Sequence, residues 1–320
     1  MVEAVDWTGS KEEQHTAQQE MERRGPDAVP VPAEIVGAVG DADILALHFA
    51  PVPRAVLEAG KRLRAVIVAR AGVENVDVAA ATQRGIAVVN VAGRNATAVA
   101  ELALGLMLCE ARNIARADAS VKSGGWRKDF PVTPSIEIGG RTAGLVGFGH
   151  VGRALAQRLA GFGVKLLVHD PYAPAAALAG AGAQAAELDD LFRAADFISV
   201  QAKVTPQTTR FIGAGQFALM KPTAYFVNVG RSRLIDTAAL LQVLQRRQIA
   251  GAGLDVYDEE PLPPDSPWRR LDNVTLTTHF GGDTADTNRR SARLVAKAVA
   301  EFARTGRCAG AVNAEALGWR

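Results

Sequence analysis

The chain has 320 residues, 48% of them hydrophobic and 22% charged, enough for a large buried core and about two domains. Lys plus Arg outnumber Asp plus Glu only 36 to 34, and a net charge of +2 gives no basis for a nucleic-acid or anionic-membrane partner. Two cysteines exclude a disulfide framework and a four-cysteine zinc site, and 6% aromatics argue against stacking platforms for single strands. Residues 1–19 carry Glu3, Asp6, Lys11, Glu12 and Glu13 and lack the apolar core of a signal peptide. The longest apolar stretch, 98–109, is too short to span a bilayer and is interrupted by Glu101, so a reducing, cytoplasmic location is expected.

In chain order, residues 2–5 read as a first strand close to the terminus. Residues 44–47, 64–68 and 86–89 read as further strands, with a helix over 77–83. Each is short and almost uniformly apolar, as buried parallel strands are. Residues 95–119 read as one long helix with Leu102, Leu106, Cys109 and Asn113 at helical spacing. The connection 124–140, with Trp126, Pro131 and Pro134, reads as irregular. Strands then follow at 142–146, 165–169, 197–200, 224–229, 252–256 and 274–277. Helices are expected at 151–160, 187–193, 213–219 and 237–246. Six strands with crossovers of this length specify a doubly wound parallel sheet. A last helix, 286–305, is free to return to the first domain.

Gly147, Gly149 and Gly152 form Gly-x-Gly-x-x-Gly between a strand and a helix, the setting in which that spacing binds a dinucleotide. The first glycine allows a tight turn, the second lets the backbone approach a pyrophosphate, and the third lets the helix pack on the sheet. His150 and Val151 sit at the helix N-terminus, where free N–H groups and the dipole favour an anion. Asp170 ends the next strand, placed to accept hydrogen bonds from a ribose diol, and Pro171 offers no cation for a 2′-phosphate, so NAD is the expected cofactor.

Other polar residues gather where strands end, which is where open α/β sheets bind ligands. Asn228, Gly230 and Arg231 follow one strand, Asp255, Glu259 and Glu260 another, and Thr278, His279, Gly281 and Gly282 the last. Hydride transfer to a keto acid requires a planar cation for the carboxylate, a role open to Arg231. It also requires a proton donor with a pKa near the working pH, for which His279 is the candidate. A carboxylate behind the imidazole, Glu260, would raise its pKa and fix its tautomer. No His, Asp or Glu set has metal-ligand spacing, and no metal is expected.

Taken together these motifs resemble the D-isomer-specific 2-hydroxyacid dehydrogenases, the family that includes phosphoglycerate dehydrogenase, from about Ile44 to Arg304. Val146-Gly147-Phe148-Gly149-His150-Val151-Gly152 with His169-Asp170-Pro171 resembles the cofactor loop, and Asn228-Val229-Gly230-Arg231-Ser232 the segment with the substrate arginine. The segment from Leu254 to Pro261 resembles the one with a nicotinamide-side Asp, here Asp255, and a catalytic Glu, here Glu260. Thr278-His279-Phe280-Gly281-Gly282 resembles the one carrying the acid/base His. The resemblance implies catalytic Arg231, Glu260 and His279. It implies cofactor contacts at Gly147, Gly149, His150, Val151, Gly152, Asp170, Pro171, Gln201, Val229, Gly230, Asp255, Gly281 and Gly282.

In the first half, Arg70-Ala71-Gly72-Val73 resembles the family's substrate-side loop, with the amides near Ala71 and Gly72 holding a carboxylate. His48 stands where phosphoglycerate dehydrogenases tend to place Arg, and Arg94 could bring a cation instead, so an unphosphorylated or differently polar acid is expected. Gln201 stands where the family often has His. The implied architecture is α/β with two Rossmann-like domains. Residues 1–95 plus 291–320 would form a smaller, flavodoxin-like substrate domain, and 96–290 an NAD-binding domain whose sheet is doubly wound. A homodimer is expected by the same resemblance, with a small 2-keto or 2-hydroxy acid as substrate and neither nucleic acid nor membrane as partner. Two alternatives stay open: an NAD(H)-sensing, corepressor-like interaction protein, and a phosphite- or formate-type dehydrogenase.

Overall fold

The computed structural model describes residues 2–7, 10–130, 135–308 and 310–319. Contacts divide the chain into two units, one of Met1–Arg94 with Ala285–Arg320 and one of Asn95–Thr284. The sequence reading places these boundaries at 95/96 and 290/291. The later one falls at 284/285 because the last helix, Ala285–Thr305, is a single continuous element.

The first unit holds a parallel sheet in the order β1 (Ile44–Leu47), β2 (Ala65–Val68), β3 (Ala87–Asn90). Side chains alternate across it, so each face needs its own cover. Val66, Val68 and Val88 pack against Ile35 and Val39 of the helix Ala33–Val39, Val56 and Leu57 of Arg54–Ala59, and Ala80 and Ala81 of Val78–Gln83. Ala65, Ile67, Ala87 and Val89 on the other face meet Ala298 and Phe302 of the helix Ala285–Thr305. The C-terminal tail is stitched to this sheet by Asn313, which accepts from the Val88 N–H at 2.9 Å and donates to the Ile86 carbonyl at 3.0 Å and to Thr82 Oγ1 at 2.9 Å.

Residues 2–5, expected as a strand, are irregular. An unexpected helix, Lys11–Arg24, follows them. Ser10 and Glu13 start it by a reciprocal capping box that satisfies two of its otherwise orphaned N–H groups.

The second unit is built on seven parallel strands: β4 (Thr142–Val146), β5 (Lys165–His169), β6 (Ala183–Ala185), β7 (Phe197–Val200), β8 (Tyr225–Asn228), β9 (Gly251–Leu254) and β10 (Val274–Leu276). Their spatial order is β10-β9-β8-β7-β4-β5-β6. Strand order reverses between β4 and β7, the doubly wound arrangement, and the crevice it leaves lies at the carboxyl ends of those two strands. The sheet has one strand more than expected, because the three residues of β6 carry no β-branched signal.

The long helix expected over 95–119 is two helices, Ala96–Arg112 and Ile114–Lys122. Asn113 between them is left-handed at φ 53°, a conformation that Asn tolerates better than most residues. Its side chain is tied to Ser135 Oγ (3.2 Å) and to Arg116 (3.3 Å). Arg116 also closes two hydrogen bonds, 3.0 and 2.9 Å, on the fully buried Glu110 carboxylate, which accepts a third from Thr275 at 2.5 Å. Any Cβ on Gly251 would lie 2.4 Å from that carboxylate, which makes glycine the residue that fits there. Pro131 and Pro134 lie outside the described residues. Among the described residues no helix is long and apolar enough to cross a membrane.

Candidate active site

The glycine-rich turn leaves β4 at the point where strand order reverses. Gly147 has φ 98°, and a Cβ there would lie 2.7 Å from the Ala202 backbone. A Cβ on Gly152 would come within 2.3 Å of the Gly147 carbonyl oxygen, so this glycine lets the helix His150–Ala160 press onto the turn. Around Gly149 nothing comes within 4 Å of the Cβ position, which leaves its backbone open to approach. His150 is exposed and Val151 half-buried at the helix N-terminus.

Two side chains brace this turn. Asp170 accepts from the Phe148 N–H at 2.7 Å through one oxygen and from the Tyr172 N–H at 2.9 Å through the other, with Pro171 between. Gln201, after β7, donates to the Gly147 carbonyl at 2.8 Å and accepts from Ser199 Oγ at 2.8 Å. Asp170, expected at a ribose, and Gln201, expected at the cofactor, both shape the loop. An open amide cradle at a helix N-terminus, with a carboxylate at the end of β5, suits a dinucleotide pyrophosphate and its ribose.

Strands β8, β9 and β10 are neighbours in register, Asn228 opposite Leu254 and Leu254 opposite Leu276, so the segments that follow them emerge along one edge. After β8 the buried Asn228 folds the turn, accepting from the Gly230 N–H (3.0 Å) and donating to the Arg231 carbonyl (3.2 Å). Val229 is buried, and Arg231 Nη1 donates to the Gly230 carbonyl at 2.9 Å.

After β9 comes Asp255, 2% exposed. One of its oxygens accepts from Thr277 Oγ1 (2.7 Å) and the Phe280 N–H (3.2 Å), the other from the Gly281 N–H (3.0 Å). This carboxylate therefore grips both sides of His279, whose backbone is left-handed at φ 54°. A Cβ on Gly281 would sit 2.8 Å from Asp255 Oδ2, and one on Gly282 2.6 Å from Asn95 Nδ2, so both positions are packed closed.

His279 Nδ1 lies 2.7 Å from Glu260 Oε2. The other oxygen of Glu260 accepts from the Tyr257 N–H at 2.8 Å, which fixes the carboxylate's orientation. Nδ1 is thus engaged by a carboxylate, which orients the ring. Tyr257 was not singled out from sequence. Its hydroxyl lies 2.9 Å from the Leu254 carbonyl and 2.7 Å from that of Thr277, joining the ends of β9 and β10. Burial, reinforced by the charge of Asp255, pushes this phenol well above its ordinary value and keeps it a donor. Its position two residues beyond Asp255 was the available signal.

The remaining candidates lie in the first unit. The Ala71 carbonyl accepts from Asn90 Nδ2 at 2.5 Å, and the Glu74 side chain lies against Gly72. The His48 ring is 4.0 Å from that of Phe49 and contributes, with Leu47, Ala69, Ser291 and Ala292, to a groove of about 380 Å³. Arg94 donates to Ser291 Oγ at 3.1 Å. Among the described residues no group of three or more His, Cys, Asp or Glu side chains could hold a metal ion.

Residues 104–281 match the D-isomer specific 2-hydroxyacid dehydrogenase NAD binding domain. The chain belongs to the D-isomer specific 2-hydroxyacid dehydrogenase family. Within this dehydrogenase family it is 39% identical over 274 residues to a D-3-phosphoglycerate dehydrogenase of Methanocaldococcus jannaschii, covering 85% of this chain and 52% of that one. It is 36% identical over 300 residues to a glyoxylate reductase of Korarchaeum cryptofilum, covering 92% and 89%. A solved 2-hydroxyacid dehydrogenase from Ketogulonicigenium vulgare superposes with a TM-score of 0.77 at 28% identity, covering 88% of each chain. The chain spans about half the length of the phosphoglycerate dehydrogenases it matches. The NAD binding match runs from the helix Ala96–Arg112 to Gly281 and contains the glycine turn, Asp170, Arg231, Glu260 and His279.

Proposed function

We propose that this protein reduces a small 2-keto acid to a 2-hydroxy acid, of D configuration by family analogy, with NADH. The reading is carried by the His279–Glu260 pair at 2.7 Å, at the same end of the parallel sheet as the glycine turn. Bound NADH supplies the hydride. His279, protonated and oriented by Glu260, donates its Nε2 proton to the carbonyl oxygen as negative charge develops there. Arg231 holds the substrate carboxylate through its planar fork. Gly147, Gly149, His150, Val151 and Gly152 bind the pyrophosphate, and Asp170 the ribose diol. The substrate-side roles of Ala71, Gly72, His48 and Arg94, and a substrate domain formed by the first unit, belong to the same proposal.

An unphosphorylated substrate is favoured by the commitment of the arginine in the loop after β2: Arg70 is paired with Glu22. The carboxylate beside His279 also favours acid/base chemistry over formate oxidation, which has no proton to move onto oxygen. We extend the proposal to a homodimer formed through the second unit, supported by the exposed Ile114, Val121 and Trp126 on and after the helix Ile114–Lys122.

The test is NADH consumption over glyoxylate, hydroxypyruvate, phosphohydroxypyruvate and larger keto acids, with His279→Ala as control. Turnover of a small unphosphorylated acid that is lost in His279→Ala is the expected result. Absence of turnover with every keto acid, or a full rate in His279→Ala, overturns the reading.

A further inference from the structure

We infer that Glu22, on the N-terminal helix Lys11–Arg24, is a positioning residue for the two loops that follow β1 and β2, acting through Arg70. The inference rests on the substrate-side reading of those loops. Arg70 directly precedes Ala71 and Gly72, yet it is only 5% exposed. A buried guanidinium needs a carboxylate, because a charge left alone at low dielectric is strongly destabilising. Glu22 provides it, with Oε1 3.2 Å from Arg70 Nη2, and Gln18 Nε2 donates to the same oxygen at 2.7 Å. Gln18 and Met21 are themselves buried, so the helix is seated on the unit by this face.

The guanidinium carbon of Arg70 lies 4.5 Å from the centre of the Phe49 ring, in range for a cation–π contact, and the Phe49 ring is 4.0 Å from that of His48. One side chain thus joins the loop carrying His48 to the loop carrying Ala71 and Gly72, and Glu22 determines where that side chain points. The Arg70 carbonyl accepts from the Val91 N–H at 2.9 Å, so the backbone of the second loop has its own anchor and does not depend on Glu22 to exist. What Glu22 adds is the alignment of one loop with the other. Glu22 lies in the first unit, outside the matched segment 104–281.

The test combines kinetics and hydrogen exchange on the full chain. Glu22→Gln is expected to raise the KM for the best keto acid about tenfold, with kcat and NADH affinity within about twofold of wild type. Amide exchange is expected to quicken in peptides covering 48–52 and 69–76 and to stay unchanged over β2 and β3. Glu22→Asp should recover part of the KM. Arg70→Met should show the same KM rise, with no further rise when combined with Glu22→Gln. An unchanged KM in an active protein, or exchange that quickens uniformly across the first unit, overturns the inference and leaves Glu22 a stabilising residue only. If the wild type turns over no keto acid, the functional reading fails by itself, and the exchange pattern still decides whether Glu22 aligns the loops.

Discussion

Asp255→Asn is the sharpest probe of how the loop carrying His279 is built. The substitution preserves shape and removes one of two acceptor oxygens. Three donors converge on the carboxylate: the Thr277 hydroxyl at 2.7 Å, the Phe280 N–H at 3.2 Å and the Gly281 N–H at 3.0 Å. However the new amide turns, its NH2 faces a donor, and at 2% exposure no solvent compensates. Losing a hydrogen bond to a charged group costs about 1.5–3 kcal/mol, and a buried donor left unsatisfied about 1–3 kcal/mol. The same bonds hold His279 at φ 54°, a conformation that costs roughly 1–2 kcal/mol unaided. A net loss of about 2–4 kcal/mol in loop order corresponds to a fall in kcat/KM of roughly 30- to 1000-fold. The assay is steady-state NADH oxidation, with NADH affinity measured separately and amide exchange followed over 277–283. Loop exchange should rise and NADH affinity should stay within about threefold. Should NADH affinity absorb the whole loss while the loop stays protected, Asp255 acts on the nicotinamide and not on the loop, and the reasoning fails.

Gly149→Ala should leave the melting temperature unchanged, since nothing lies within 4 Å of the added carbon, yet weaken NADH binding about tenfold or more by filling the space a pyrophosphate needs; equal affinity would refute the cradle. Glu110→Ala should cost about 3–5 kcal/mol in denaturant unfolding, because Arg116 is left without its carboxylate in a site where it is 12% exposed. A loss below about 1 kcal/mol would show that the pair contributes little. At Asp196, burial raises the carboxyl, but the Lys221 ammonium and the Thr142 N–H outweigh it and hold the group below its ordinary value. A lowered folded-state pKa means stability that is present above the unfolded value and lost as pH falls through the folded one. Asp196→Asn should therefore lower the melting temperature at neutral pH and flatten its decline below the ordinary carboxylate range, read from melting curves between neutral and acid pH.

The parts legible in the sequence were those where one residue type answers one physical demand. Gly147 at positive φ and Gly152 against a carbonyl tolerate no side chain, and their spacing could be read directly. The strand-end clustering of Arg231, Glu260 and His279 followed from alternating apolar runs, and the sheet order places those runs side by side. Elements whose determinants are not periodic were missed. β6 is Ala-Gln-Ala, with nothing to mark a strand. The break at Asn113 falls on a position that keeps helical spacing with Leu102, Leu106 and Cys109, and depends on bonds to Ser135 and Arg116 that only the fold brings together. The helix Lys11–Arg24 is almost wholly polar and has weak periodicity, although its Ser10-x-x-Glu13 start was a readable signal. The bracing of the glycine turn by Gln201 and Asp170 could not be read, because a hydrogen bond across the sheet leaves no trace in spacing.

The first unit is assembled from both ends of the chain, and this bears on how the protein is made. A ribosome completes the second unit, one unbroken stretch, before the helix Ala285–Thr305 exists. Domains fold as units while synthesis proceeds, so the later-encoded unit matures first. During that interval the face of the first sheet formed by Ala65, Ile67, Ala87 and Val89 has no cover, since Ala298 and Phe302 are still to be translated. Val88 and Ile86 likewise wait for Asn313. A nascent chain arrested after residue 284 would carry a finished nucleotide-binding fold tethered to a bare apolar sheet. Residues beyond 284 thus decide whether that face of the sheet is covered.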